Sequence, residues 1–366
     1  MIPESSATIK HVLTRRCALK GIPVSGIFEL TPRCNLGCKM CYVRLTPAEM
    51  KPLGEELSAQ AWLELAQQAK DAGLVFLLLT GGEPTLREDF PYLYEQLAMM
   101  GFSITVNTNA TLLSPEIREI WHRLPPAQVN VTVYGTCQED YQNLCGNPGA
   151  FDAMTEAVQW MLSEGILTNL NATMVPENYE KWLEIEEFAK ERGLQLRMTT
   201  YCFPPVRRSE CTDRFHRLAP EQAADLMVKD LQYREGNETV KYHAKHLSAP
   251  PHAECELGVG ETIQCLAGRS QFWVAWNGAL TPCGMLNQPA TTVLKEGFLP
   301  AWTELRAKVD AIRLCPDCVD CEIRSTCLNC AAVIYAESNT FTEKPEYMCR
   351  MNEAFRQKIQ ELAKQL

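Results

Sequence analysis

The chain has no long apolar run: the longest, Leu74 to Leu79, is six residues, far short of the roughly 20 that a helix needs to cross a bilayer. The opening residues, MIPESSATIKHVLTRRC, hold no apolar h-region of the kind a secretory signal requires. Positive charge is in deficit. The 35 Lys and Arg stand against 45 Asp and Glu, a formal charge of −10, which disfavours a broad phosphate-backbone interface with nucleic acid. Histidine is scarce, six residues with no HxH or HExxH pattern, and Walker and GxGxxG loops are missing. Nothing supports a Ser-His-Asp arrangement. These absences predict a cytoplasmic protein with no membrane and no nucleic-acid partner.

Cysteine, by contrast, is abundant at 17 of 366 residues. That is too many for packing alone, and without a secretory signal the thiols read as metal ligands rather than disulfides. Cys34, Cys38 and Cys41, in CNLGCKMC, have C-x3-C-x2-C spacing. Such a triplet can hold three corners of a [4Fe–4S] cube and leave the fourth iron open to a small molecule. A structural zinc site or buried apolar cysteines are the blander alternatives.

Short apolar or β-branched runs recur at Gly26–Leu30, Leu74–Thr80, Phe102–Asn107, Gln128–Tyr134, Leu167–Met174 and Leu194–Tyr201. They suit strands covered on both faces. Amphipathic segments alternate with them. One is capped by Ser58 and stopped at Gly73; Gly101, Gly165 and Gly193 punctuate three others. The pattern predicts an α/β fold, a partial (β/α)6 barrel of parallel strands, since six strands fall short of the eight that close a barrel. Chemistry then belongs at the C-terminal strand ends, where CNLGCKMC lies. The expected organisation is an N-terminal segment 1–23, the barrel 24–203 and a bridging region 204–250 with one helix from Pro220 to Tyr233. A small cysteine-rich domain 251–350 and a C-terminal helix 351–366 follow.

The second strand exits into Gly81-Gly82-Glu83-Pro84 and the third into Asn107-Thr108-Asn109. With the cysteine triplet, these elements resemble the radical S-adenosylmethionine (SAM) enzymes over roughly residues 24–350. The resemblance implies that SAM chelates the open iron and that Gly81, Gly82 and Glu83 hydrogen-bond its amino group, with Pro84 beside them in the cofactor site. Asn107, Thr108 and Asn109 would then lie near the ribose, with Tyr42, Tyr134 and Arg197 as further cofactor contacts. One-electron cleavage of SAM would yield a 5′-deoxyadenosyl radical. Met40 stands where the family often has an aromatic residue before the third cysteine.

The C-terminal cysteines follow a second pattern. Cys265 is separated by twelve residues from Gly278, and four more lead to Cys283. Then come Cys318-x2-Cys321-x5-Cys327-x2-Cys330 and finally Cys349. Such CxxC knuckles suit zinc as well as iron. Their order resembles the SPASM extension, apart from the last x2 where that pattern has x3, and implies two auxiliary [4Fe–4S] clusters. One would take Cys255, Cys265, Cys283 and Cys330; the other Cys318, Cys321, Cys327 and Cys349. Cys315 is a possible substitute, leaving a three-ligand site open. Cys137 and Cys145, after the fourth strand, are expected to face the mouth.

The resemblance implies an enzyme that oxidatively modifies a peptide or protein substrate, forming a thioether or carbon–carbon cross-link. A flavodoxin- or ferredoxin-type reductant would supply electrons. Side-chain oxidation of a small molecule or tetrapyrrole is the first alternative, and an iron–sulfur electron carrier the non-enzymatic one. Sulfatase formylglycine formation is disfavoured, because the related enzymes carry an Asp base directly after the G-x4-C cysteine, where Gly284 stands here. No residue stands out as general acid or base.

Overall fold

The structure, a computed structural model, describes residues 4–207, 216–247, 262–263, 265–319, 321–323, 327 and 330–366. Six strands alternate with helices: β1 Ser25–Glu29, β2 Phe76–Thr80, β3 Ser103–Thr108, β4 Gln128–Thr132, β5 Thr168–Thr173 and β6 Gln195–Thr199. They pair in sequence order, all parallel. This is the expected partial barrel. Its helices start and stop where local chemistry dictates. The Ser58 side chain accepts from Ala61 N–H at 3.2 Å to cap the helix Ala59–Asp71. At its far end Gly73 adopts φ +114°, a left-handed stop that a side chain would resist.

The sheet does not end at β1. Strand β7, Gln271–Val274, pairs parallel to β1, and the antiparallel strands β8, Ala279–Thr281, and β9, Thr291–Thr292, complete a nine-stranded sheet. The cysteine-rich region is thus built onto the barrel's edge rather than tethered to it. Apolar contacts reinforce the join. Phe272 on β7 packs 4.7 Å from Phe298, which stacks on Trp302, and all three are buried. Burying each such ring contributes about 1.5–3 kcal/mol. Trp302 Nε1 donates to Gly21 O at 2.9 Å and Phe298 N to Gln68 Oε1 at 2.8 Å, tying the helix Phe298–Asp310 to the barrel's first elements.

Three helices depart from expectation. The N-terminal segment forms a helix over Glu4–Lys20. The bridging helix runs from Pro220 to His246, not to Tyr233, with a break at Gly236, φ 81°. The last helix begins at Glu346 rather than in the 350s. These last two pack together through Val228, Val240, Leu247 and Ile359, and Tyr347 donates its hydroxyl to Leu218 O at 2.8 Å. Among the described residues no helix is long and apolar enough to cross a membrane.

Candidate functional site

The loops leaving β1 to β5 surround one cleft of about 800 Å³, part of it open to solvent. Cys34, Cys38 and Cys41 line it, with Tyr42, Gly81, Gly82, Asn107, Thr108, Asn109 and Tyr134. Met40, Val43, Thr80, Thr132 and Thr173 line it too. The three threonines were not singled out from sequence, although each ends a strand that points into the mouth.

The cysteine loop is fixed from two sides. Gly37 N donates to Cys145 O at 3.0 Å and Lys39 N to Leu144 O at 3.1 Å, so the last carbonyls of the helix Gln138–Cys145, which lack helical partners, grip the loop. On the other side the Gly-Gly turn packs against residues 31–33. Gly82 N donates to Thr31 O at 2.6 Å and Glu83 N to Arg33 O at 2.9 Å. A Cβ on Gly81 would lie 2.5 Å from Thr31 O, and one on Gly82 only 2.3 Å from Arg33 O. The two glycines exist to let backbone meet backbone.

Glu83 sits behind the cleft wall, fully buried. Its carboxylate accepts from Thr85 N and Oγ1, at 3.1 and 2.6 Å, from Thr108 Oγ1 at 2.7 Å and from Asn109 N at 2.7 Å. Burial raises its pKa against the pull of these donors. Here Glu83 joins the β2 turn to the β3 turn. Asn109 continues the tie, donating to Asn35 Oδ1 at 2.9 Å, and Asn107 accepts from Asn130 Nδ2 at 2.8 Å. Pro84 is buried at the start of a single 3-10 turn that Glu83 caps. Arg197 was expected from the resemblance as a further cofactor contact. It is exposed on the outermost barrel strand, β6, and does not line the cleft. Cys145 is likewise buried, its Sγ 3.1 Å from Tyr141 O, rather than facing the mouth.

The three thiols suit an iron–sulfur cluster. Each is a free cysteine, and each sulfur has a polar neighbour: Leu36 N at 3.4 Å from Cys34, the Tyr134 hydroxyl at 3.0 Å from Cys38, Arg44 N at 3.2 Å from Cys41. Burial pushes the Cys34 thiol up to about 12, and the Cys38 thiol is also raised by burial. Both hold their protons until a metal displaces them, so loading releases protons. A cluster there would supply one electron to a molecule bound in the cleft.

A buried ion pair lies between this cleft and the C-terminal thiols. Arg207 Nη2 is 2.7 Å from Glu29 Oε2, to which Trp273 Nε1 also donates at 2.8 Å. Tyr42 and Cys283 lie within electrostatic reach of the pair. Further on, Cys283 interacts with Cys330 and Cys265, and burial pushes its thiol up to about 12. Cys318, Cys321, Cys327, Cys330 and Cys349 line a second space of about 460 Å³. Cys330 therefore faces both sets. Cys315 is buried beside Cys318 but does not line that space. Cys255 lies outside the described residues.

Comparison with known proteins gives the same picture. The sequence pattern of the Radical SAM superfamily matches residues 28–189. An AdoMet-dependent heme synthase of Methanosarcina barkeri is 25% identical over 346 residues, covering 90% of this chain and 97% of the relative. The sporulation killing factor maturation protein SkfB of Bacillus subtilis is 22% identical over 277 residues, 76% of this chain and 64% of the relative. Among solved structures, Streptococcus suis SuiB superimposes with a TM-score of 0.68 at 18% identity, over 93% of this chain and 82% of SuiB. With its parallel partial barrel and the three thiols at its mouth, the segment 28–189 is a radical SAM domain.

Proposed function

We propose that the chain cleaves SAM reductively and oxidatively cross-links a peptide, with Cys34, Cys38 and Cys41 holding the SAM-binding cluster. Two auxiliary [4Fe–4S] clusters would lie in the C-terminal thiol sets, one held by Cys265, Cys283, Cys330 and Cys255, the other by Cys318, Cys321, Cys327 and Cys349. The observation that carries this reading is the joining of the C-terminal thiol region to the barrel sheet through β7. Forming a thioether or carbon–carbon bond removes two hydrogens from the substrate. One leaves as a hydrogen atom and the other as a proton and an electron. Auxiliary clusters held by thiol sets attached beside the cleft would give that electron an acceptor. A flavodoxin- or ferredoxin-type protein would deliver the first electron.

Formylglycine formation through a base beside Cys283 is disfavoured by packing as well as by sequence. A Cβ on Gly284 would lie 2.6 Å from the Trp273 ring, so an Asp has no room there.

A second reading, oxidation of a tetrapyrrole side chain, is favoured by the near full-length match to heme synthase. Thermal protection of the reconstituted enzyme in the presence of SAM separates the two. Short peptides encoded beside the gene and iron coproporphyrin are tested in parallel. A ligand at a hundred times its Kd stabilises by about 2.7 kcal/mol, a readable shift. Protection by a peptide, followed by loss of two hydrogens per bond in its mass spectrum, supports cross-linking; protection by the porphyrin alone overturns it.

A further inference from the structure

The Tyr134 hydroxyl touches a cysteine of the triplet, and the fold holds it there. Tyr134 lies two residues beyond the end of β4 and is 5% exposed. Its ring is fixed edge-on by Tyr141, centroids 5.1 Å apart at 84°. Its backbone is fixed by Asn178, itself buried, whose Nδ2 donates to Tyr134 O and to Thr173 O, both at 3.2 Å. The same amide's oxygen accepts from Val175 N at 2.8 Å. Asn178 thus clamps the exits of β4 and β5 and delivers the phenol oxygen to 3.0 Å from Cys38 Sγ.

The direction of that hydrogen bond follows from chemistry. A cysteine that ligates iron has lost its proton, so the contact persists in the loaded protein only with the tyrosine O–H donating to sulfur. Cys34 and Cys41 receive backbone N–H donors from Leu36 and Arg44. The backbone donors depend little on side-chain identity; Asn109 Nδ2 also lies 3.8 Å from Cys34 Sγ, and Cys38 alone of the three is approached by a side-chain hydroxyl among the described residues.

We propose that Tyr134 is a positioning residue for the cluster, donating a hydrogen bond to Cys38 Sγ that raises the reduction potential of the SAM-binding cluster. Reduction adds one negative charge to the cluster, and a donor at a ligand sulfur stabilises the more negative state. The inference rests on the reading that Cys34, Cys38 and Cys41 hold that cluster.

The test is a potentiometric titration of the reconstituted full-length protein, following the reduced-cluster electron paramagnetic resonance signal that changes when SAM is added. Tyr134→Phe keeps the ring and removes the donor. At the wild-type midpoint its reduced-to-oxidised ratio is expected to fall several-fold, a tenfold fall being 59 mV for one electron. Tyr94→Phe, which removes a hydroxyl bonded to Leu124 O at 2.8 Å in a remote part of the core, is expected to leave the midpoint unchanged. Tyr134→3-fluorotyrosine keeps the ring, sharpens the donor and moves the midpoint up, and it carries the test if Tyr134→Phe loads poorly. An unchanged midpoint in the fluorinated variant, or an equal shift in Tyr94→Phe, overturns the proposal. Absence of any SAM-responsive signal in the wild type would instead overturn the underlying assignment of the triplet.

Discussion

Substituting Gly82 by Ala should damage the cluster loop although no cysteine is touched. The added Cβ would fall 2.3 Å from Arg33 O, 2.7 Å from Arg33 C and 2.8 Å from Pro32 O. These are backbone atoms, which cannot rotate aside as a side-chain tip would, so the β2 turn must move away from residues 31–33. Overpacking of this kind costs about 1–3 kcal/mol. Two hydrogen bonds would stretch with it, Gly82 N to Thr31 O and Glu83 N to Arg33 O, at about 0.5–1.5 kcal/mol each. Together the loss is about 2–6 kcal/mol, against a total stability of about 5–15 kcal/mol for an ordinary protein. Gly37→Ala is the matched control. It lies inside the cysteine triplet, yet its nearest atoms would be Cys145 O at 3.6 Å and Arg44 Nη1 at 3.7 Å, ordinary contacts. The assay is thermal unfolding of the anaerobically reconstituted proteins with iron counted per chain. Gly82→Ala should melt several degrees lower and retain less iron, while Gly37→Ala stays within about 0.5 kcal/mol of wild type. Equal behaviour of the two variants would refute the close-approach argument.

Glu29→Ala or Arg207→Ala breaks the largely buried pair and should cost about 3–5 kcal/mol each; in a double-mutant cycle by denaturant unfolding, the double variant should cost clearly less than the two singles together. Burial raises the Glu186 carboxyl to about 7 from an ordinary 4.5, against the pull of Arg234. The folded protein therefore keeps a proton that the unfolded chain has lost, so stability falls as pH rises from about 5 to 7 and levels off above. Melting curves of wild type and Glu186→Gln across that range should converge or diverge by this slope alone, and parallel curves would contradict it.

Much of the site was legible because its signals are local. Short apolar runs between helix caps announced six parallel strands, and the triplet, the Gly-Gly turn and the Asn-Thr-Asn turn each follow a strand directly, so one mouth had to collect them. What stayed hidden depends on distant pairing. Strands β7, β8 and β9 have four, three and two residues, too short for a period to show, and β7 is defined by β1, far away in sequence. Glu29 reads as an anomaly inside an apolar strand until Arg207 and Trp273 arrive to satisfy it. The role of Glu83 was drawn from a resemblance, and the structure adds what a motif cannot hold: four donors from two loops. Arg197 pairs with Asn171 on the face that carries the cleft-lining Thr173, so alternation placed its face, but not its distance from the mouth. Helix ends near Tyr233 and Asn352 were missed because both helices are fixed by each other rather than by their own caps.

The most direct measurement compares the reconstituted wild type with a variant in which Cys34, Cys38 and Cys41 are all Ala. Iron and labile sulfide are counted anaerobically, then SAM and dithionite are added and 5′-deoxyadenosine is measured. The account predicts about twelve irons and SAM cleavage in the wild type, and about eight irons with no cleavage in the variant. Cleavage that survives loss of the three thiols would contradict it.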